Sequence, residues 1–222
     1  KDMSGKIQVY TNNQNLSNDE YDLVVRKLDI GDIVGIKGSV FYTKTQELSI
    51  KANKVELLSK NLHPLPNMKE KDGELFFSFD DKEQRYRKRY LDLIINDDSR
   101  DVFISRFNII NSIRNYLNIN SFIEVETPVL QPVYGGANAK PFTTYHNSLD
   151  QNLFLRIADE LYLKRLIVGG FEKVYEISKN FRNEGMDKNH NPEFTMLEFY
   201  SAYSDVYDMM ELTEGMIKNL VK

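Results

Sequence analysis

The chain has 222 residues, of which 41% are hydrophobic and 28% are charged, with a formal net charge of −4. This composition predicts a folded soluble protein with room for one large domain or two small ones, and its net charge argues against binding nucleic acid by bulk electrostatics. The absence of cysteine excludes disulfides and thiolate metal sites, and no apolar run of about 18 residues predicts a transmembrane helix.

The three histidines and the first residues bear on two further classes. His63, His146 and His190 lie far apart in the sequence and lack zinc-ligand spacing, so we predict no structural zinc. No apolar segment typical of a signal peptide follows Lys1, and we expect a cytoplasmic protein.

Residues 1–60 predict a small β-rich domain. Periodicity and turn residues give strand, helix, strand and strand in the order Lys6–Tyr10, Asp19–Leu28, Ile33–Tyr42 and Leu48–Leu58. An oligonucleotide-binding barrel has five strands, and this segment supplies three of them. We therefore predict a partial barrel of that kind; any small half-barrel is the alternative.

Residues 61–82 form a predicted linker to a second domain, residues 83–222. The two prolines of His63-Pro64-Leu65-Pro66 block regular structure at its start. The densest basic cluster of the chain follows the linker and consists of Arg85, Arg87, Lys88 and Arg89. Such a cluster can contact RNA phosphates, or it can pair with neighbouring carboxylates on a solvated helix; for any single residue we favour pairing.

Residues Asp101–Asn120 predict the clearest helix of the chain. Its apolar residues recur every three or four positions, at Phe103, Phe107, Ile110, Ile113 and Leu117. A strand over Phe122–Pro128 follows and is stopped by proline. An apolar stripe of this kind fits an ordinary core helix on a sheet, and it fits an interface equally well.

The next segment combines a glycine loop with a short strand and a helix. Gly135 and Gly136 allow the backbone to approach a ligand closely, which alone is a weak signal. A strand is predicted over Leu153–Arg156, and a helix then runs to Val168. Glu160 lies near the start of that helix, where the helix dipole favours a carboxylate in any case.

Residues Asn180–Tyr203 predict two strands joined by a polar loop. Alternation groups the first strand's Asn180, Arg182 and Glu184 on one face, and the second strand's Phe194, Met196, Glu198 and Tyr200 on one face. If the two faces coincide, one surface gathers an arginine, two carboxylates and two aromatic rings. Buried charges need partners, so this surface indicates a ligand site, with a sheet of paired ions as the alternative.

A final helix is predicted after Tyr203. Ser204 or Asp205 can cap it, and its apolar stripe consists of Met209, Leu212, Met216 and Leu220. We interpret this stripe as packing.

The order of residues in the predicted hairpin resembles motif 2 of class II lysyl-tRNA synthetases. The matching stretches are Phe181-Arg182-Asn183-Glu184-Gly185, His190-Asn191-Pro192-Glu193-Phe194-Thr195 and Glu198-Phe199-Tyr200. Asp101–Pro128 is similar to motif 1, and Gly31–Gly35 resembles the family's anticodon-binding barrel. The implied fold is α+β: a partial OB-fold barrel, then part of a class II antiparallel sheet with flanking helices.

The resemblance implies that the hairpin binds ATP. Arg182 would bridge the ATP α-phosphate and the amino-acid carboxylate, which suits a guanidinium fork. Phe194 would stack on adenine, since a flat apolar ring suits a purine face. Glu184, His190 and Asn191 would position the nucleotide.

The resemblance also implies a lysine site and a dimer. Lysine would be held by the Gly136 backbone, Glu160, Arg182, Glu198 and Tyr200, with Glu160 on the α-amino group. Family members usually carry other residues where Asp159 stands, a difference that we expect to be harmless. The helix and strand of Asp101–Pro128 would form a homodimer interface.

The implied activity is that of a lysine–tRNA ligase with ATP, L-lysine and tRNA(Lys) as partners. Lysine would first form lysyl-adenylate and pyrophosphate, and the acyl group would then move to the tRNA. The family's third motif has no counterpart here, and ligands for the Mg²⁺ that accompanies ATP are expected beyond Lys222. We therefore expect a segment of a longer enzyme that is inactive alone.

Two other functions remain open at this point. An enzyme with the same core could transfer lysine to a protein, but such enzymes lack the anticodon barrel predicted over Lys6–Leu58. A chain without the third motif could instead be a non-catalytic module that dimerises or binds RNA. An aspartate or asparagine enzyme is disfavoured, because its counterpart of Asn183-Glu184-Gly185 usually differs.

Overall fold

The computed structural model describes residues 1–66, 68–71, 74–77 and 79–221, without the side chains of Leu23, 68–71 and 74–77. The chain forms two compact units, Lys1–Asp101 and Val102–Lys222. The fold is α+β, as predicted. Among the described helices, none is both long and apolar enough to cross a lipid bilayer.

The first unit contains a three-stranded sheet that confirms the predicted strands. It is built from β1 (Gln8–Tyr10), β2 (Ile33–Tyr42) and β3 (Leu48–Ser59), in the order β1-β3-β2. β1 runs parallel to β3 and β2 runs antiparallel to it. A register shift between Lys37 and Gly38 requires glycine, because a Cβ on Gly38 would lie 2.1 Å from the Lys51 carbonyl oxygen.

The predicted α-helix over Asp19–Leu28 is wrong in type. The segment forms a π-helical turn over Glu20–Val24 and a 3₁₀ turn over Val25–Lys27. Two adjacent β-branched residues, Val24 and Val25, disfavour regular helix and pack against the small core under the sheet instead. That core centres on Leu16, Ala52 and Val55.

A two-stranded hairpin, β4 (Met68–Lys71) with β5 (Glu74–Phe77), occupies part of the predicted linker 61–82. Residues 67, 72–73 and 78 of that linker, and the side chains over 68–77, lie outside the described residues.

The basic cluster after the hairpin is largely paired. α1 (Lys82–Arg87) and α2 (Arg89–Ile95) carry it. Arg85 Nε donates to the buried Asp92 carboxylate at 2.7 Å, Arg89 also pairs with Asp92, and Arg87 donates to Glu83 at 2.8 Å. Pairing with carboxylates, rather than RNA contact, therefore accounts for these three arginines.

Burial alone would raise the pKa of the Asp92 carboxyl, but hydrogen bonds from Asn96, Ser99, Arg85 and Arg89 hold that pKa well below its usual range. We expect Asp92→Asn to lower the free energy of unfolding by about 3 kcal/mol at pH 7, because it leaves two guanidinium groups without their charge partner. Since the folded-state pKa is lowered, this stabilisation is present above about pH 4 and is lost as the pH falls further.

Urea unfolding of both proteins at pH 7 and pH 3 measures this effect. The gap between Asp92→Asn and the parent chain should narrow at pH 3. A gap that stays constant would contradict the assignment of charge to Asp92.

The second unit begins within α3 (Asp97–Ile119), which confirms the predicted long helix and starts four residues earlier. Two small sheets follow, with strand orders β11-β10-β6 and β7-β9-β8. Their strands are β6 (Ile123–Glu124), β7 (Leu130–Gln131), β8 (Thr143–His146), β9 (Gln151–Leu155), β10 (Lys173–Phe181) and β11 (Glu193–Ser201). The helices α4 (Glu160–Val168) and α5 (Val206–Val221) complete the unit.

The core of the second unit lies between the helices and one face of β10–β11. Leu117, Phe122, Tyr175 and Met216 are its buried members. The α5 stripe predicted for packing is the less exposed face of that helix, and Asp205 caps it by accepting from the Tyr207 N–H at 2.7 Å. The strand predicted over Phe122–Pro128 is wrong in length, because β6 pairs with β10 only at Ile123 and Glu124, four residues before Pro128.

Candidate active site

The β10–β11 hairpin builds the polar face that the sequence predicts. Asn180 lies opposite Phe194, Ser178 opposite Met196, and Glu176 opposite Glu198. Side chains directly across an antiparallel pair share a face. The face that holds Asn180 is therefore also the face that holds Phe194 and Glu198, while the opposite face carries Tyr175 into the core.

The prediction that the first strand continues through Glu184 is wrong. β10 ends at Phe181, and the last rung of the ladder is the Arg182 N–H, which donates to the Pro192 carbonyl at 2.8 Å. Pro192 has no N–H to return a bond. The chain leaves the sheet here, and the Asn183 N–H donates to the Lys140 carbonyl at 2.8 Å.

Arg182 faces an open pocket next to Phe194. Its guanidinium carbon lies 5.1 Å from the centroid of the Phe194 ring, within cation–π range. Its Nε is buried and has no hydrogen-bond partner in the described part of the chain. A buried guanidinium nitrogen without an acceptor is costly, so the site suits an anionic ligand.

The pocket has a volume of about 190 Å³. It is lined by Arg182, Glu184, Gly185, Asn189, His190, Asn191 and Phe194. All five residues predicted to bind ATP are therefore brought together, on the end of the hairpin and its loop.

Two contacts hold the loop residues of this pocket. Glu184 Oε1 accepts from the Lys140 N–H at a long 3.4 Å. His190 Nδ1 lies 2.8 Å from Asp187 Oδ2, and Asp187 also accepts from the His190 N–H. Backbone hydrogen bonds from Asn189 and His190 and the His190 imidazole hold the pKa of the Asp187 carboxyl below its usual value, so the acceptor stays charged.

Four of the five residues predicted to hold lysine lie close to one another, namely Gly136, Glu160, Glu198 and Tyr200. The fifth, Arg182, lies in the pocket beside Phe194. Glu198 Oε1 accepts from the Asp159 N–H at 3.2 Å, and Glu198 Oε2 accepts from the Tyr200 hydroxyl at 2.8 Å. Burial, then the hydrogen bond and charge of Glu198, raise the pKa of Tyr200, so its hydroxyl remains a donor at neutral pH. Two carboxylates that are not fully buried, Glu160 and Glu198, give this corner a negative potential that suits an ammonium group.

Gly136 brings the glycine loop against this corner. Its φ of +85° is accessible chiefly to glycine, and an added Cβ would lie 2.9 Å from Glu160 Cβ and 3.1 Å from Ala158 Cβ. Glu160 itself receives a hydrogen bond from Lys164 at 2.5 Å. The loop backbone can therefore approach a ligand beside Glu160 where a side chain could not fit.

A buried network of hydrogen bonds, which sequence analysis missed, holds the side chains next to the site. Arg156 Nη1 donates to Glu176 Oε1 at 2.7 Å, and the Thr127 hydroxyl donates to Glu176 Oε2 at 2.6 Å. The Ser178 hydroxyl donates to Asp159 Oδ2 at 2.5 Å. One signal was available: polar residues at every second position of β10, namely Glu176, Ser178 and Asn180, are unusual for a strand packed on both faces.

No cluster of three or more His, Cys, Asp or Glu side chains within the described residues is arranged to hold a metal ion.

Comparison with protein families identifies two regions. Residues 81–222 match the family described as tRNA synthetases class II (D, K and N). Residues 1–58 match the OB-fold nucleic acid binding domain. The second match agrees with the partial barrel predicted for residues 1–60.

Curated relatives cover the chain almost completely. It is 55% identical over 98% of its length to the lysine–tRNA ligase of Idiomarina loihiensis. It is 54% identical over 99% of its length both to lysine–tRNA ligase 2 of Methanosarcina mazei and to the lysine–tRNA ligase of Staphylococcus aureus. The chain spans only 42%, 42% and 43% of the lengths of these three relatives.

Proposed function

The chain belongs to the class II tRNA synthetases (D, K and N), and from this premise we propose that it forms the ATP- and lysine-binding part of a lysine–tRNA ligase. The observation that carries the proposal is the buried Nε of Arg182, which has no partner among the described residues, beside the Phe194 ring in a pocket shared with Glu184, His190 and Asn191. Relatives that are 52–55% identical to the chain carry the lysine–tRNA ligase name, which supports lysine over aspartate and asparagine.

In the first step, the lysine carboxylate attacks the α-phosphorus of ATP and pyrophosphate leaves. Arg182 would hold the carboxylate and an α-phosphate oxygen together and stabilise the charge that develops between them. Phe194 would stack on adenine and fix the nucleotide in line for attack. No side chain of the pocket has to act as a covalent nucleophile. The family uses a divalent metal ion with ATP, and we expect Mg²⁺ to accompany the nucleotide.

Lysine itself would lie against the negatively charged corner. Glu160 would accept from the α-amino group, with the Gly136 backbone closing over it. Glu198 and Tyr200 would line the remainder, where the hydrogen bond from the Tyr200 hydroxyl orients the Glu198 carboxylate. A pocket with this surplus of carboxylates rejects anionic amino acids such as aspartate.

The second step transfers the lysyl group to tRNA(Lys). The loop between β10 and β11 would meet the acceptor end, and the barrel of residues 1–58 would contact the anticodon. The OB-fold match supports tRNA rather than a protein as the acceptor. We propose that the chain acts in the cytoplasm, where tRNA is charged for protein synthesis.

Amino-acid-dependent ATP–pyrophosphate exchange tests this assignment in a full-length enzyme that carries the chain. We expect exchange with lysine and none above background with aspartate or asparagine, because only a cationic ligand satisfies the acidic corner. Charging of a tRNA(Lys) transcript by the same protein should follow. Exchange with aspartate, or lysine activation without tRNA charging, would contradict the proposal.

We further propose that α3 contributes to a homodimer. Several apolar side chains of α3 remain on the surface, including Val102 at 67% exposure and Phe107 at 65%. The sequence pattern places Phe107 on the same stripe as the buried Leu117, so the stripe continues past the core of one copy.

A charge on this stripe should prevent self-association. We expect Phe107→Glu to shift the protein from dimer to monomer in sedimentation equilibrium, since a desolvated carboxylate has no partner there. Val168→Glu, at an isolated apolar residue that is 90% exposed, is the matched control and should leave the mass unchanged. A Phe107→Glu protein that remains dimeric would place the interface elsewhere.

A further inference from the structure

Asp159 is a buried acid that the proposed reaction does not use. Its side chain has 0% exposure although it stands at the start of α4, where an acidic residue would ordinarily face solvent and cap the helix. It makes no side-chain capping hydrogen bond to the described backbone of α4. Burial raises the pKa of this carboxyl, against the opposing effects of Ser178 and Arg156. Keeping such a group buried is costly, which calls for a role other than helix capping.

The Asp159 side chain is anchored to β10 and to a buried arginine. Its Oδ2 accepts from the Ser178 hydroxyl at 2.5 Å, and its Oδ1 lies 3.3 Å from Arg156 Nε as an ion pair. Arg156 is itself fixed by Glu176 and by the Lys179 carbonyl, at 2.7 and 2.9 Å. The side chain of Asp159 is therefore held by β10 and Arg156, while its carbonyl accepts from the Tyr162 and Leu163 N–H groups of α4.

The backbone of the same residue holds the amino-acid corner. The Asp159 N–H is one of the two donors to the Glu198 carboxylate, the other being the Tyr200 hydroxyl. The next residue is Glu160, whose Cβ lies where a Cβ on Gly136 would clash. A displacement of residue 159 would therefore move both the N–H that donates to Glu198 and the adjoining backbone of Glu160.

We propose that Asp159 is a positioning residue for amino-acid binding. Its side chain is anchored by Ser178 and Arg156, and its backbone places the two carboxylates that face lysine, Glu198 and Glu160. This inference rests on the proposed function of that corner. It reverses the sequence-based expectation that Asp159 is a harmless difference. Ser178 is the second positioning residue, since its hydroxyl makes the shortest hydrogen bond to Asp159.

Kinetics of lysine-dependent pyrophosphate exchange in a full-length enzyme carrying the chain test the role. Asp159→Ala and Ser178→Ala should each raise the KM for lysine about ten-fold while the KM for ATP stays within about two-fold, because sub-ångström misplacement affects only the groups that are moved. The double variant should have a KM for lysine no higher than that of Asp159→Ala, since both substitutions break the same hydrogen bond between Ser178 and Asp159. Ser178→Thr, which keeps the hydroxyl, should restore the KM for lysine.

Asp205→Ala is the matched control for a purely structural loss. Asp205 caps α5 and lies outside the proposed site, so its removal should lower the melting temperature without changing either KM. The inference is overturned if Asp159→Ala and Ser178→Ala lower the melting temperature but leave the KM for lysine unchanged. If Asp159→Ala does not fold, the outcome for Ser178→Ala and Ser178→Thr decides.

Glu198→Gln separates this inference from the function on which it rests. If Glu198→Gln raises the KM for lysine and the Asp159 and Ser178 variants do not, only the positioning role fails. If Glu198→Gln leaves the KM for lysine unchanged, the amino-acid corner itself is wrongly assigned and both proposals fall.

Discussion

Arg182→Ala is expected to reduce lysine-dependent ATP–pyrophosphate exchange about 10³-fold or more in a full-length enzyme that carries this chain. The guanidinium group would hold both reacting partners and the charge that develops between them, and removal of one such donor typically costs 10² to 10³ in rate. The Arg182 Nε is buried and has no hydrogen-bond partner in the described ranges of the chain, and it would find its acceptor when the ligands bind. Radiolabelled pyrophosphate exchange at saturating ATP and lysine measures the loss.

Two controls define what an Arg182 effect means. Arg182→Lys keeps the charge but loses the planar fork, so it should recover only a small part of the activity. Arg165→Ala removes an arginine whose guanidinium lies over Tyr162 on α4, and it should leave exchange near that of the parent protein. Near-normal exchange by Arg182→Ala would remove this residue from the proposed chemistry.

Glu176→Ala is expected to lower the free energy of unfolding by about 3 to 5 kcal/mol at pH 7. The side chains of Glu176 and Arg156 are each 4% exposed and lie 2.7 Å apart, so the substitution leaves a guanidinium charge buried without its closest carboxylate. The Thr127 hydroxyl also loses its acceptor. Chemical unfolding of the 222-residue chain, followed by circular dichroism, measures this change.

An exposed ion pair of the same chemistry gives the control. Glu83 pairs with Arg87 at 2.8 Å, but both side chains are 70% exposed, and Glu83→Ala should cost less than about 0.5 kcal/mol. Equal effects of Glu83→Ala and Glu176→Ala would contradict the view that burial makes the Arg156–Glu176 pair important. The expected result is a large loss of unfolding free energy for Glu176→Ala and a loss below about 0.5 kcal/mol for Glu83→Ala.

Short-range pattern explains much of the second unit. The period-two alternation of Asn180–Tyr203 predicts which side chains share a face on each strand, and the register of β10 with β11 shows that the faces of Asn180 and Phe194 coincide. The helical spacing of Met209, Leu212 and Met216 likewise predicts the packed face of α5. Both features follow from local geometry, which fixes where successive side chains point.

Other features depend on residues far apart in the chain. β10 stops at Phe181 because Pro192, on the opposite strand, has no N–H to offer. The valines at 24 and 25 pack against a core in place of completing an α-helix. In each case a tertiary partner overrides the local preference.

The sequence by itself determined which side chains share a face on each strand of the hairpin, such as Phe194 and Glu198, because period-two alternation is local. The proposed nucleotide and lysine roles of these residues came from the resemblance to class II lysyl-tRNA synthetases. Only the tertiary structure decided how that hairpin is supported. Arg156 and Asp159 reach Glu176 and Ser178 across about 20 residues, and such contacts depend on how loops return to the sheet. Burial then turns ordinary polar residues into a network whose charges need one another, a property that no periodicity encodes.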